Sequence, residues 1–294
     1  MSVLYVTDLD GTLLDGEKQV DRRTVEVINS LIADGLWFTV ATARAPQSAL
    51  PLLTGLDLRL PLIFMNGAII IDPVDGRTIR RNVLDAAVAR RVVDGYVTAG
   101  LRPFVFTCDT AGQPHVYYPG AGNAGEQEFV DRRLAAGDKR FRLVTDFAPA
   151  FDEAVLTAKA CGTHAELDAL AAALSDDPDV FTHFGPDIYS PGYAWLEVCH
   201  PRANKGDAVR LVRDHVGARR LVCFGDNTND LQMFAAADEC YAVANAHPAA
   251  ASAATGRIGS NTEHGVALHL RAAVQTTPDS RRRHADGSRS TTSC

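Results

Sequence analysis

The chain opens on Val3-Leu4-Tyr5-Val6-Thr7-Asp8-Leu9-Asp10-Gly11-Thr12-Leu13-Leu14, and this stretch constrains everything after it. A short apolar run with no polar interruption reads as a strand buried on both faces, the kind found in parallel sheets covered by helices. It empties into two carboxylates separated by one residue, and Gly11 then breaks it. On an extended backbone residues i and i+2 share a side, so Asp8 and Asp10 are expected to converge at the strand's carboxyl end. That edge is where open α/β sheets bind ligands. Two such carboxylates repel one another unless a proton or a hard cation lies between them.

The next segments support such a sheet. Asp21 is placed to cap a helix carrying Val25, Ile28, Leu31 and Ile32, which Gly35 ends. Trp37-Phe38-Thr39-Val40-Ala41 is the next strand and runs into Thr42-Ala43-Arg44 before Pro46 opens a helix. Leu62 to Met65 is a third strand with Asn66-Gly67 as a turn, and the segments 68–71 and 78–81 read as a hairpin around Asp72-Pro73-Val74-Asp75-Gly76. Strands and helices alternate over short links, which predicts a parallel sheet with crossover helices. From Asn82 the pattern changes to helices near 84–99 and 165–174, with strands near 103–108, 115–118, 155–160 and 180–184. A block of this size can fold by itself. Trp195 to Cys199 reads as the parallel pattern resuming. The expected fold is therefore α/β: a Rossmann-like parallel-sheet core from residues 1–81 and 191–274, with an α/β cap inserted at 82–190. Residues 275–294 lack any apolar run and read as a disordered tail.

Net charge is −7 and the pI is near 5.7, which argues against nucleic acid or an anionic membrane as the main partner. No apolar run approaches the roughly 20 residues that span a bilayer. A strand begins almost at the first residue, so no signal peptide is expected. The six cysteines form no C-x-x-C pair and show no zinc-ligand spacing; five sit in or beside apolar runs as free thiols. Together these features point to a reducing, cytoplasmic setting.

A second acidic strand end comes late in the chain. Leu221-Val222-Cys223-Phe224 runs into Gly225-Asp226-Asn227-Thr228-Asn229-Asp230. Two parallel strands that each deliver acids to one edge build an oxygen-rich site suited to Mg2+. Lys205, at the start of a helix in Asn204-Lys205-Gly206, can supply the one positive side chain a phosphate needs.

The order Asp-x-Asp, strand-end Thr, Lys-Gly and Gly-Asp-x-x-Asn-Asp resembles the four motifs of the haloacid dehalogenase superfamily of aspartate-nucleophile phosphatases. Asn66-Gly67-Ala68, Asn204-Lys205-Gly206, Asn245-Ala246 and His264-Gly265-Val266-Ala267, with the insert after the Thr motif, resemble its Cof-type subgroup. The resemblance implies a phosphatase of small organic phosphates such as sugar phosphates. Asp8 would be the nucleophile and Asp10 the general acid and base. Mg2+ would be held by Asp8, the Asp10 carbonyl and Asp226. Thr42, Lys205, Asn229 and the N–H groups of Leu9 and Ala43 would hold phosphate oxygens, with Asp230 orienting Lys205 or a metal-bound water. Ala43 departs from the Gly often found there, a change that backbone N–H donation survives if φ stays negative. In the insert, His115, Tyr117, Tyr118, His183 and Tyr189 are the candidate substrate contacts. The alternative is a phosphohexomutase-type phosphotransferase using the same aspartyl phosphate. A non-catalytic phosphate-binding module is disfavoured by the full set of acids, and a dehalogenase by Asp10, Lys205 and the second acidic cluster.

Overall fold

The computed structural model describes residues 2–187 and 190–276 of the chain. Tyr189, Cys294 and the tail from residue 277 lie outside them. Gln275 and Thr276, which the sequence reading assigns to the tail, instead end the last helix.

The chain begins with β1 (Val3–Thr7), α1 (Arg22–Ala33), β2 (Trp37–Val40), the single-turn α2 (Pro46–Ala49) and β3 (Leu62–Phe64). Asp21 caps α1 by accepting the Arg23 and Thr24 N–H groups at 2.8 and 3.3 Å. Ile28, Leu31 and Ile32 on one stripe are buried. Next come β4 (Ile69–Ile71) and β5 (Thr78–Arg81), which with β3 form a three-stranded sheet in the order β3-β4-β5.

A second block comes next: α3 (Ala86–Thr98), β6 (Phe104–Cys108), β7 (Pro114–Tyr118), α4 (Ala124–Ala135), β8 (Phe141–Leu143), β9 (Ala154–Gly162), α5 (His164–Ser175), β10 (Phe181–Pro186) and β11 (Ala194–Cys199). The chain finishes with α6 (Lys205–Val216), β12 (Arg220–Gly225), α7 (Leu231–Ala236), β13 (Glu239–Val243), α8 (Pro248–Ala253), β14 (Gly256–Ile258) and α9 (Gly265–Thr276).

The chain divides into two compact units. One gathers the chain up to Asn66, Ile70–Ile79 and the part from Lys205 onward; the other holds Arg80–Asn204 with Gly67–Ile69. In the first, a parallel sheet runs in the order β14-β13-β12-β1-β2, and an Ala41 to Ile63 bridge continues it toward β3. The register sets Thr7 opposite both Phe224 and Val40, so β1, β12 and β2 end level. Their buried side chains (Leu4, Val6, Leu221, Cys223) pack with Val209 and Val212 of α6 and with Met233 and Phe234 of α7. Each such side chain is worth about 1.5–3 kcal/mol when fully buried. This packing makes the sheet a rigid platform for the loops at its carboxyl edge.

The second unit is a six-stranded sheet in the order β10-β11-β9-β6-β7-β8, antiparallel except for the β7–β8 pair. Its core unites Val92, Val93 and Tyr96 of α3 with Leu167 of α5 and with Val105, Ala158 and Leu196 of the sheet. Here the structure differs from the sequence reading. Residues 194–199 do not resume the parallel core: β11 lies between β9 and β10, antiparallel to both. The apolar alternation of Ala194, Leu196 and Val198 marks a half-buried strand but carries nothing about which sheet it joins. The second unit therefore extends past residue 190, to Asn204.

The five cysteines within the described residues are buried free thiols. Among the described residues, no helix is long and apolar enough to cross a membrane.

Candidate active site

The level ends of β1, β2 and β12 bring three loops to one sheet edge. Asp8 donates its N–H to the Phe224 carbonyl at 2.9 Å, and Ala41 donates to the Thr7 carbonyl at 2.9 Å. The strand stops there. Leu9 is fully buried, and its carbonyl accepts from Thr12, Leu13 and Leu14 as the chain turns. Asp8 and Asp10 thus do not share one side of an extended strand. Asp8 points into the core edge, 5 % exposed. Asp10 turns outward to Arg44, which grips it with two hydrogen bonds, Nε to Oδ2 at 2.6 Å and Nη2 to Oδ1 at 2.5 Å.

The Asp8 carboxylate meets a buried lysine. Lys205 is the first residue of α6 and fully enclosed; its Nζ donates to Asp8 Oδ1 at 2.5 Å and to Asp230 Oδ1 at 2.6 Å. Burial pulls the ammonium down, but Asp230 and Asp8 more than offset this, and Lys205 ends above the ordinary lysine range. Asp230 is used on both sides, since its Oδ2 accepts the Asp226 and Asn227 N–H groups at 2.9 and 3.0 Å. It therefore folds the β12 loop into its turn and aims Lys205 at the same time. Gly206 is required beside this lysine: a Cβ there would stand 2.5 Å from the Gln232 carbonyl oxygen of α7.

Asp226 completes the cluster. One oxygen from each of Asp8, Asp226 and Asp230 lies within 4.8 Å of the others. Burial, then the Asp230 charge, pushes Asp226 up to about 6, while Thr12 Oγ1 donates to its Oδ1 at 3.0 Å. Asp8 is also raised well above the usual carboxylate range. Burial is the main cause, with Asp230 and Asp226 adding to it and Lys205 opposing. Carboxylates crowded enough to resist ionisation fit a divalent cation that would neutralise them, and an all-oxygen donor set suits Mg2+. Asp230 gives both oxygens to Lys205 and two amides, whereas Lys205 takes only Oδ1 of Asp8 and Thr12 only Oδ1 of Asp226, so these two carboxylates are the better placed to face an ion.

Thr42 lies two residues past the end of β2, fully buried; its Oγ1 accepts the Arg44 N–H at 3.1 Å and its carbonyl the Asn66 N–H at 3.0 Å. Ala43 is not among the residues with positive φ, so its methyl leaves the backbone N–H usable. Asn229 donates from Nδ2 to Asn66 Oδ1 at 3.2 Å. Met65 and Asn66 both hold left-handed backbone, at φ 50° and 53°, an uncommon pair at this edge.

Sequence reasoning missed Arg44, Thr12 and Asn66 as partners of the site. Thr12 and Asn66 stood inside quoted motifs; Arg44 comes just after the Thr motif, and nothing in its spacing showed that it would reach Asp10.

In the second unit the candidate contacts have other duties. Glu153 collects Thr107 Oγ1 at 2.5 Å, His115 Nδ1 at 2.9 Å and the Tyr117 hydroxyl at 2.9 Å. Tyr118 stacks on Phe104, and His183 meets the Phe181 ring edge-on.

Residues 5–270 match a family model described as haloacid dehalogenase-like hydrolase. The chain belongs to this family. Its similarity to curated relatives runs nearly end to end. It is 25% identical over 272 residues to the 5-amino-6-(5-phospho-D-ribitylamino)uracil phosphatase YitU of Bacillus subtilis, covering 91% of this chain and 96% of that protein. It is 28% identical over 252 residues to the HMP-PP phosphatase of an Enterobacter species, covering 84% and 86%. Among solved structures, a haloacid dehalogenase-like hydrolase from B. subtilis matches with a TM-score of 0.77 at 22% identity, over 92% of this chain and 99% of that one. Another from Bacteroides thetaiotaomicron matches with a TM-score of 0.74 at 22% identity, over 93% and 100%. These neighbours share the fold. The chain is thus a hydrolase of the haloacid dehalogenase-like type, with a Rossmann-like core.

Proposed function

We propose that this protein is a Mg2+-dependent phosphatase of small organic phosphate monoesters, working through an aspartyl phosphate on Asp8. The observation that carries the reading is the enclosed trio of Asp8, Lys205 and Asp230, with Asp226 alongside. One enclosed ammonium among three acids leaves the edge short of positive charge, so a divalent ion beside Lys205 is what would let it accept a phosphate dianion against Asp8.

Asp8 attacks phosphorus, forming an Oδ–P bond as the ester P–O bond breaks. Asp10 gives a proton to the departing alcohol oxygen. It then takes one from the water that cleaves the aspartyl phosphate. Lys205 neutralises phosphate oxygens, joined by the hydroxyl of Thr42, the amide of Asn229 and the N–H groups of Leu9 and Ala43. The ion would be held by the Asp8 and Asp226 carboxylates and the Asp10 carbonyl. It would screen the charge between Asp8 and the incoming phosphate. Both relatives described above are named as phosphatases, which supports a small phosphorylated metabolite as substrate. Selectivity among leaving groups is assigned to the second unit, because the residues named here meet only the phosphate and the ester oxygen that every monoester shares.

The test is phosphate release from a panel of phosphate esters, with and without Mg2+, by the wild type and by Asp8→Asn. Release should need the ion and vanish in the variant, whose amide is a poor nucleophile of nearly the same size. Undiminished release by a pure Asp8→Asn sample would end the proposal.

A further inference from the structure

Asp10 is more open to solvent than Asp8, and one side chain grips it. Its carboxylate side chain is 38% exposed, whereas that of Asp8 is 7% exposed. Arg44 takes both of its oxygens in a two-point fork, Nε to Oδ2 and Nη2 to Oδ1. The fork is itself anchored. The Arg44 N–H is bound to the Thr42 hydroxyl at 3.1 Å, and the Arg44 carbonyl accepts the Met65 N–H at 2.9 Å. Asn66, next to Met65, bonds back to the Thr42 carbonyl and accepts from Asn229. The guanidinium therefore projects from a backbone fixed on both sides by residues at the phosphate-binding edge.

A two-point fork defines the plane and the direction of a carboxylate; a lysine in its place would define only a distance. Each carboxylate oxygen offers about two lone-pair sites. The fork uses one on each oxygen and leaves another for a proton in transit. The carboxylate also stands outside the Asp8–Asp226–Asp230 cluster. In-line displacement requires this, because the leaving oxygen is on the far side of phosphorus from Asp8.

We propose that Arg44 is the positioning residue for Asp10, orienting its carboxylate toward the leaving-group oxygen of a phosphate monoester. The inference rests on the phosphatase reading above and adds to it the device that aims the acid. In the first step the proton passes from Asp10 to the leaving oxygen as the ester bond breaks. In the second it passes from water back to Asp10 as the Asp8 phosphate bond breaks. Arg44 keeps its own protons throughout. Without the fork, Asp10 spreads over several rotamers and the transfer slows. General acid catalysis is worth about 10²–10⁴-fold and small misplacements cost up to about 10²-fold, so a loss of roughly 10–100-fold is expected where the leaving group needs a proton.

The experiment measures the pre-steady-state burst of leaving-group release by the full chain with Mg2+. Substrates are aryl and alkyl phosphates of graded leaving-group acidity. Arg44→Met, Arg44→Gln and Arg44→Lys are compared with the wild type and with Asp10→Asn, each first shown to be folded by circular dichroism. Having two neutral variants protects against one that fails to fold. The expected result is a steeper dependence on leaving-group acidity in Arg44→Met and Arg44→Gln, approaching that of Asp10→Asn. Release of p-nitrophenolate should fall by less than about 3-fold, because it needs little acid assistance. Arg44→Lys should behave like the neutral variants. A uniform loss across the series, with the wild-type slope kept, would overturn the inference while leaving the phosphatase reading intact. An unchanged slope in Asp10→Asn would instead remove Asp10 from its proposed role, and Arg44's role with it.

Discussion

Lys205→Met isolates the electrostatics of the site. The lysine is completely enclosed, and its ammonium is the shared partner of Asp8 at 2.5 Å and Asp230 at 2.6 Å. Methionine fills nearly the same volume, so the apolar packing of the stem survives and the charge is what goes. Breaking a buried ion pair by removing one partner costs about 3–5 kcal/mol, because the other charge is left uncompensated. Here two carboxylates are stranded, which places the expected loss at the upper end, about 4–5 kcal/mol. That is a large share of the 5–15 kcal/mol that usually holds a domain together. The loss should depend on pH in a definite direction. Asp8 is already raised by burial and by Asp230 and Asp226, and it loses its opposing charge in the variant. A folded-state carboxylate raised above its unfolded value binds more protons than the unfolded chain, so stability falls as pH rises from about 4 through the folded value. The deficit should therefore shrink on going from pH 8 to pH 5. Adding Asp230→Asn removes one stranded charge, and its amide oxygen can still accept the Asp226 and Asn227 N–H groups. The double variant should recover about 1–2 kcal/mol relative to additivity, within the usual range for contacting residues. Urea unfolding of the ion-free protein at pH 8 and pH 5 measures all of this. A double variant no more stable than the sum of the singles, or a deficit that does not change with pH, would refute the argument.

Three further outcomes concern other groups. Gly11→Ala should cut phosphate release by at least about 10-fold, because Gly11 holds φ +78° and a Cβ would stand 2.4 Å from Asp226 Oδ2, displacing that carboxylate; rates at saturating Mg2+ test it. Mg2+ should raise the midpoint of thermal unfolding more at pH 8 than at pH 5, since Asp226 at about 6 and the raised Asp8 must lose protons to take up the ion; equal shifts at both pH values would contradict the ligand set. Lys159→Met should stabilise the fold at pH 7 by about 1 kcal/mol. Burial holds Lys159 at about 8, below its ordinary 10.5, at a cost of roughly 3 kcal/mol. The Phe106, Phe129 and Trp195 rings beside its ammonium return about 0.5–1 kcal/mol each. The wild type should gain stability between about pH 8 and 10.5 as this penalty disappears, and the variant should show less of that gain in urea titrations.

The strand-end positions were legible because a buried parallel strand announces itself as a continuous apolar run, and the residues immediately after such a run lie at the ligand edge. Val3–Thr7 and Arg220–Gly225 did so, and the register that makes them end level put Asp8 and Asp226 together. Residues 194–199 were legible as a strand and illegible as to sheet. Pairing is decided by backbone groups that every residue carries, and the choice between the core and β9 left no mark on side-chain type. Arg44 was illegible for a related reason. Thr42 and Lys205 sit at motif positions whose spacing implies a shared ligand, whereas an arginine side chain reaches far enough to meet any of several acids. The bonds from its amide to Thr42 Oγ1 and from the Met65 N–H to its carbonyl fix the backbone from which it meets Asp10. The same logic limits the second unit. His115 and Tyr117 suggested substrate contacts by residue type, yet both side chains bond to Glu153, whose carboxyl their hydrogen bonds help hold below its ordinary range against the opposing effect of burial. A polar residue in a sequence is only a candidate for function until its partner is known. At the first unit's edge the partners are other acids and one enclosed lysine, an arrangement that costs stability in the absence of a ligand. In the second unit the partner is a carboxylate that the same side chains already satisfy.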